Sequence, residues 1–248
     1  LKQQGELPQL NLDPMQSTEI EIPVQLSEYA NTQEAFITIQ FTLREDETWA
    51  KAGHEVVIGS RQIEKAHIAA DGITALLDPP NNRVVGLENT QAADWCEVIV
   101  LTVPYAAHEQ MVTNMKDIVG DKIFIDVTVP IVPPKVTVVQ MPKAGSAGKE
   151  TVKILGPEAK VAIAFQNISY ERLLDEENID CDVLVCGSSK ETRNSVLELV
   201  KDAGMTGWDA GPMSNAMVVE GLTSILININ KVHGGRAAGI RITGANRE

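Results

Sequence analysis

Four short apolar runs, Val98–Val103, Lys122–Val127, Lys160–Phe165 and Asp182–Gly187, constrain this chain more than any other feature. None alternates polar with apolar residues as a half-solvated strand does, and each has the length of one strand. Such runs suit parallel strands covered by helices on both faces. Between the first two, Ala107, Met111, Met115 and Val119 recur every fourth residue, the spacing of a covering helix over 105–119. Upstream, Ala35–Ile39 reads as a first strand. A short helical stretch to Lys51 follows, then Gly53 as its C-cap and the strand Glu55–Gly59, which together open a βαβ unit. Downstream, Pro142–Glu150 reads as a flexible insert. Ser188 with Glu191 forms a capping box for a helix closed by Gly204, and Thr206–Ala210 a last short strand. Val218, Val219, Leu222, Ile225, Leu226 and Ile229 mark one broad helical face, expected to be core or a dimer interface.

The expected fold is therefore α/β: a Rossmann-type doubly wound, mainly parallel sheet with a smaller C-terminal part ending in a long apolar helix. The expected division is an acidic extension at 1–34, a dinucleotide-binding domain at 35–158 and a C-terminal region at 159–248. Through residue 48 the chain carries nine acids against Lys2 and Arg44, a net of −7 and over half of the total of −13. With Pro8, Pro14 and Pro23 and little periodicity, the start reads as a loosely attached extension. The acidic balance argues against nucleic acid or an anionic membrane as partner. No apolar stretch approaches the roughly 18 to 20 residues a spanning helix needs, and no charged start with an apolar run marks a signal peptide. The expected location is the cytoplasm, with Cys96, Cys181 and Cys186 as buried thiols lacking metal or redox spacing.

The chemistry concentrates at Gly59-Ser60-Arg61. In a Rossmann unit the tip of the second strand faces the adenosine ribose; an acid there bonds the 2′-OH, whereas arginine accepts a 2′-phosphate. No acid stands here. Ser60 offers a hydroxyl, Arg61 a guanidinium for stacking and phosphate pairing, and Lys65 lies four residues on along the same helix face. This pattern points to NADP rather than NAD. The four histidines offer little: His54 and His67 are expected to face solvent, and His108 and His233 lack partners at metal spacing. No metal site and no catalytic side chain is expected.

Ala52–Arg61, Leu101–Pro104, Asp209–Asn215 and Ala238–Gly244 together resemble the NADPH-dependent F420 reductases, also called F420-dependent NADP oxidoreductases, from about Trp49 to the C-terminus. The resemblance implies an oxidoreductase that moves a hydride between NADP(H) and the deazaflavin coenzyme F420, as a homodimer. The two cofactors carry the reactive atoms, and the protein supplies proximity, ring orientation and exclusion of water. In family terms Ser60, Arg61 and Lys65 match the 2′-phosphate site. Thr102, Val103 and Pro104 match the loop along the dinucleotide, and Val129 and Pro130 a loop beside the nicotinamide. Phe165, Gln166 and Asn167, with Pro212, Ser214 and Asn215, match the deazaflavin cleft, although Ser214 or Asn215 also suits a helix N-cap.

The chain departs from that family at its first loop. A Gly-Gly-Thr-Gly type of turn is expected after the first strand. Here Gln40–Thr48 stands there, and no glycine occurs between Gly5 and Gly53. Glycine lets the backbone approach the pyrophosphate closely, so that N–H groups at the helix start bind it. Phe41, Thr42 and Leu43 would obstruct that approach, and Glu45, Asp46 and Glu47 would oppose the phosphate charge. Two further readings therefore stand beside the first: a relative that is non-catalytic or binds weakly, and an NADPH-dependent metal or flavin reductase, from which the Asp209–Asn215 motif discriminates.

Overall fold

The computed structural model describes residues 45–77, 84–169, 180–235 and 237–245. The elements are α1 (Glu45–Ala52), β1 (Val56–Ser60), α2 (Ile63–Thr74), β2 (Val84–Glu88), α3 (Asn89–Trp95), β3 (Val98–Leu101) and α4 (Tyr105–Val119). They continue with β4 (Ile123–Asp126), α5 (Ala147–Leu155), β5 (Lys160–Ile163), β6 (Asp182–Gly187), α6 (Lys190–Asp202) and β7 (Thr206–Pro212). A 3₁₀ turn (Met213–Asn215) then leads into α7 (Ala216–His233).

The described strands form two sheets. β1 and β2 pair in parallel; the other sheet has the order β3-β4-β5-β6-β7. β3, β4 and β5 are parallel, β6 is antiparallel to β5, and β7 is parallel to β6. The strand expected at Ala35–Ile39, the extension 1–34 and the Gln40–Arg44 part of the first loop lie outside the described residues. The five-stranded sheet runs continuously across residues 158 and 159.

Burial explains the unbroken apolar runs. Phe124 and Val161 pack with Val112, Met115 and Val119 of α4 on one face. Ile125, Ala162, Val183 and Val185 pack with Val196 and Val200 of α6 on the other. β1 and β2 carry a smaller core of their own, built from Val56, Val84, Ala70, Ile73 and Leu77, with Ala50 and Trp49 of α1. There Gly86 lets α2 lie directly on β2, since a Cβ would stand 2.4 Å from the carbonyl carbon of Ala66. Gly53, at φ 101°, ends α1 as expected.

Three expectations need correction. The insert at Pro142–Glu150 is the start of α5: Ser146 caps it by accepting from the Lys149 N–H at 3.0 Å. The cap of α6 is Ser189, which accepts from Thr192 N–H, while Ser188 Oγ accepts from Val161 N–H across the sheet. The C-terminal helix is not a long apolar terminus. It has 18 residues, buries Glu220 and Ser224, and is followed by a segment that returns to β6 through a bond from Asp182 N–H to the Ile240 carbonyl. Its apolar face is partly open, with Val218 and Val232 more than 60% exposed, because the sheet contacts only the Ala216, Val219 side. No described helix is long and apolar enough to cross a membrane.

Candidate functional site

The tip of β1 presents the first cluster. Ser60 ends the strand and its Oγ accepts from Gln62 N–H at 3.2 Å, which shapes the turn into α2. Arg61 is exposed and Lys65 half-buried in the first turn of α2, and neither has an ion-pair partner among the described residues. Two cations thus stand near a serine hydroxyl, with Glu64 between them in the sequence and Glu88 level with Ser60 on the neighbouring strand.

A second cluster follows from strand direction. Because β3, β4 and β5 are parallel, Thr102–Pro104, Thr128–Pro130 and Phe165–Asn167 all leave the sheet at its carboxyl edge, where open α/β sheets bind ligands. Thr102 and Pro104 are exposed, Val103 and Val129 half-buried, Pro130 buried. Phe165 has φ +71°, a backbone conformation that costs energy for a side chain of this size. The strain turns its ring into the core, edge-on to Trp49, where both line a small apolar cavity with Val100, Val127, Ala203 and Met205. Asn167 is used structurally: its amide donates to the Asp182 carbonyl at 2.6 Å and accepts from Leu184 N–H, pinning the end of β5 to β6. Gln166 donates to the Asp126 carbonyl at 2.6 Å, and its Oε1 is buried with no hydrogen-bond partner among the described residues.

Beneath these loops lies a buried polar network that the sequence pattern did not expose. His108 Nε2 stands 2.7 Å from Asp126 Oδ2, and Thr151 Oγ donates to the same oxygen at 2.6 Å. Asp126 Oδ1 accepts from Thr128 N–H at 2.9 Å. Burial opposes the charged form of His108, but the Asp126 carboxylate outweighs it and holds the imidazole above its usual range. The carboxylate that His108 meets lies 18 residues on, at the end of β4, a separation that no short-range spacing reveals. The available signal was a histidine on the buried stripe of α4 and an aspartate inside the apolar run of β4. On α7, Glu220 accepts from Ala147 N–H at 2.7 Å and Gly148 N–H at 3.0 Å, and burial pushes its carboxyl up to about 7. Thr223 Oγ donates to the Gln166 carbonyl at 2.6 Å.

The two C-terminal motifs go to different places. β6 is antiparallel to β5, and Pro212, level with Gly187, stands near Ala162, one residue before the carboxyl end of β5, with Met213 packed against the cluster that holds Ile163. Ser214 and Asn215 are exposed there; Asn215 makes no cap bond and instead donates to the Ala210 carbonyl, because the helix continues directly from the 3₁₀ turn. Asp209 closes the same turn, accepting from Gly211 N–H and from Arg193. Burial opposes its charge, yet Arg193 and the Gly211 N–H bond hold its carboxyl below the usual range. The Ala238–Gly244 segment instead runs beside the start of β6, where Ile242 N–H donates to Asp182 Oδ2. That start is joined by Asn167 to the carboxyl edge of β5.

The residues fit a dinucleotide at one end and not at the other. The cation pair at β1 fits a 2′-phosphate. The start of α1, where a pyrophosphate would sit, instead opens with Glu45, Asp46 and Glu47.

Comparison with known proteins accounts for both halves of this pattern. Residues 1–64 match the family model for β-galactosidase, domain 4, and residues 47–130 that for NADP oxidoreductase, coenzyme F420-dependent. The chain is 37% identical over 201 residues to the F420-dependent NADP reductase of Methanothermobacter marburgensis, covering 78% of this chain and 89% of that one. It is 38% identical over 202 residues to the same-named protein of Methanothermobacter thermautotrophicus, covering 79% and 87%. A crystal structure of a putative F420-dependent NADP-reductase from Arthrobacter sp. FB24 superposes with a TM-score of 0.63 at 23% identity, over 79% of this chain and 94% of that one, and so shares the fold. Beyond its β-galactosidase-like start, this chain belongs to the F420-dependent NADP reductase family.

Proposed function

We propose that the chain transfers a hydride between NADP(H) and coenzyme F420. The observation that carries the NADP half is Arg61 and Lys65 near Ser60 at the tip of β1, where the strand itself ends in Gly59-Ser60 rather than in an acid and neither cation has an ion-pair partner among the described residues. The F420 half rests on family membership. Bound NADPH supplies the hydride, and the deazaflavin ring accepts it; the reverse direction uses the same groups. Arg61 and Lys65 hold the 2′-phosphate. Val103, Val129 and Pro130 offer apolar cover that keeps water from the ring faces. Gln166 offers a free carbonyl oxygen to a ring-edge donor. No side chain here needs to donate or accept a proton for a direct hydride step.

Residues 35–158 then serve as the dinucleotide part and 159–248 as the deazaflavin and dimer part, after an acidic extension at 1–34. Three cysteines, Cys96, Cys181 and Cys186, without the paired spacing of a disulfide framework suit the cytoplasm. The exposed apolar positions of α7 serve as the contact face of a homodimer.

A second reading has its own observation. The stretch where the family's glycine loop belongs instead matches a β-galactosidase domain and places three acids at the start of α1. This favours a member of the family that holds the dinucleotide weakly. The deciding experiment is anaerobic NADPH oxidation by the purified chain with F420, FMN, FAD or a ferric chelate as acceptor. Turnover is expected with F420. Comparable rates with flavins or ferric chelates and none with F420 would instead make this a metal or flavin reductase.

A further inference from the structure

Helix α5 touches two buried carboxylates through one face. Its first turn gives the N–H groups of Ala147 and Gly148 to Glu220 of α7, and one turn later Thr151 gives its hydroxyl to Asp126 of β4. Glu220, Asp126 and Thr151 are all fully buried. The helix is held tightly between these points: a Cβ on Gly148 would lie 2.4 Å from Ile163 Cγ2 and 2.9 Å from Met213 Sδ, so α5 cannot slide without displacing β5 or the turn before α7. Asp126 in turn fixes the loop at the end of its own strand, since Oδ1 accepts from Thr128 N–H and its carbonyl accepts from Gln166. His108 Nε2 meets the same Asp126 Oδ2 that Thr151 bonds.

We propose that α5 is a strut, pinned by Glu220 and Asp126, that transmits the position of α7 to the Thr128–Pro130 loop; both carboxylates are positioning residues for the nicotinamide half of the dinucleotide site. The inference rests on the NADP reading above for its ligand, but the strut itself is a property of the protein alone. A hydrogen bond to a charged group is stronger and more directional than a neutral one, and buried networks of this kind rigidify what they join. The adenosine half is held elsewhere, at the tip of β1, by residues that none of these bonds touches.

The test uses Glu220→Gln and Asp126→Asn, each retaining an acceptor oxygen and the side-chain volume, with two ligands. NADP+ engages both halves of the site; 2′,5′-ADP engages only the adenosine half. Equilibrium titration is expected to show NADP+ binding weakened about tenfold in each variant, with 2′,5′-ADP affinity within about twofold of the parent. Equal weakening of both ligands would mean a merely structural role and overturn the positioning claim, as would no change in either. Amide exchange followed by NMR in the ligand-free protein gives a second readout. In Glu220→Gln, exchange at the Thr128 amide is expected to quicken about tenfold, while the Ile99 amide within β3 stays unchanged. An unaltered Thr128 amide would overturn the strut. A parent chain that binds neither nucleotide defeats the functional reading, and the exchange result then decides the strut without it.

Discussion

His108 and Asp126 meet at 2.7 Å with neither side chain open to solvent. The pair ties α4 to β4, and its electrostatics set how stability responds to pH. Glu220, burial-raised from 4.5 to about 7, destabilises the fold as pH rises through that interval, because the unfolded chain releases a proton that the folded chain keeps. His108 is raised above 6.5, so the stability it contributes is full below that pH and lost as pH climbs through the higher folded value. Both effects have the same sign. Chemical denaturation is expected to show stability falling as pH rises from 4.5 to about 7, with Glu220 contributing on the order of 3 kcal/mol at about 1.4 kcal/mol per unit, and falling further as His108 loses its proton. Glu220→Gln should flatten the slope between 4.5 and 7. A slope that rises with pH across that window would contradict the assignment.

Arg61→Ala is expected to weaken NADPH binding roughly tenfold or more while leaving NADH nearly unaffected, since a charge-assisted bond to phosphate is worth about 1.5 to 3 kcal/mol. Fluorescence titration with both cofactors measures this. Equal losses for the two would remove Arg61 from the 2′-phosphate.

Replacing Gln40–Thr48 with a Gly-Gly-Thr-Gly loop and a helix start free of acids is expected to tighten dinucleotide binding by at least about a hundredfold. Several N–H bonds to the pyrophosphate, each worth roughly 1.5 kcal/mol or more, are restored and three opposing charges removed. Calorimetry on the parent and repaired chains compares them. Equal affinity would show that other residues hold the pyrophosphate.

Val218→Asp places a charge in the open apolar stripe of α7, where Val218 is 65% exposed. The parent is expected to be a dimer by light scattering and the variant a monomer with unchanged far-UV circular dichroism, because a buried unpaired carboxylate opposes association strongly. A monomeric parent would remove the stripe from any dimer contact.

Much of the sheet was legible because its strands are nearly pure apolar runs. Asp182–Gly187 and the helix at 105–119 match the expected bounds. Local capping chemistry was harder to read: Ser188 and Ser189 are equivalent in pattern, and only the neighbouring strand decides which one turns toward α6. The β2 strand and α3 carry too few strand or helix signals to stand out, with Gly86 inside one and Thr90 and Asp94 inside the other. The site divided in the same way. Ser60, Arg61 and Lys65 lie together at one strand tip, so their grouping could be read from adjacent residues. The network of His108, Asp126, Thr151 and Glu220 joins four elements over long separations, which no local spacing encodes. The motif at Asp209–Asn215 was legible as a motif, but its strand runs against β5, and direction is a property of the assembled sheet.

The segment β1–α2–β2 carries Arg61 and Lys65, but Trp49 and Ala50 of α1 complete its small core. Trp49 also packs against the core of the five-stranded sheet and donates to the Leu199 carbonyl. One indole thus ties the two hydrophobic cores together, and trimming it would loosen both at once.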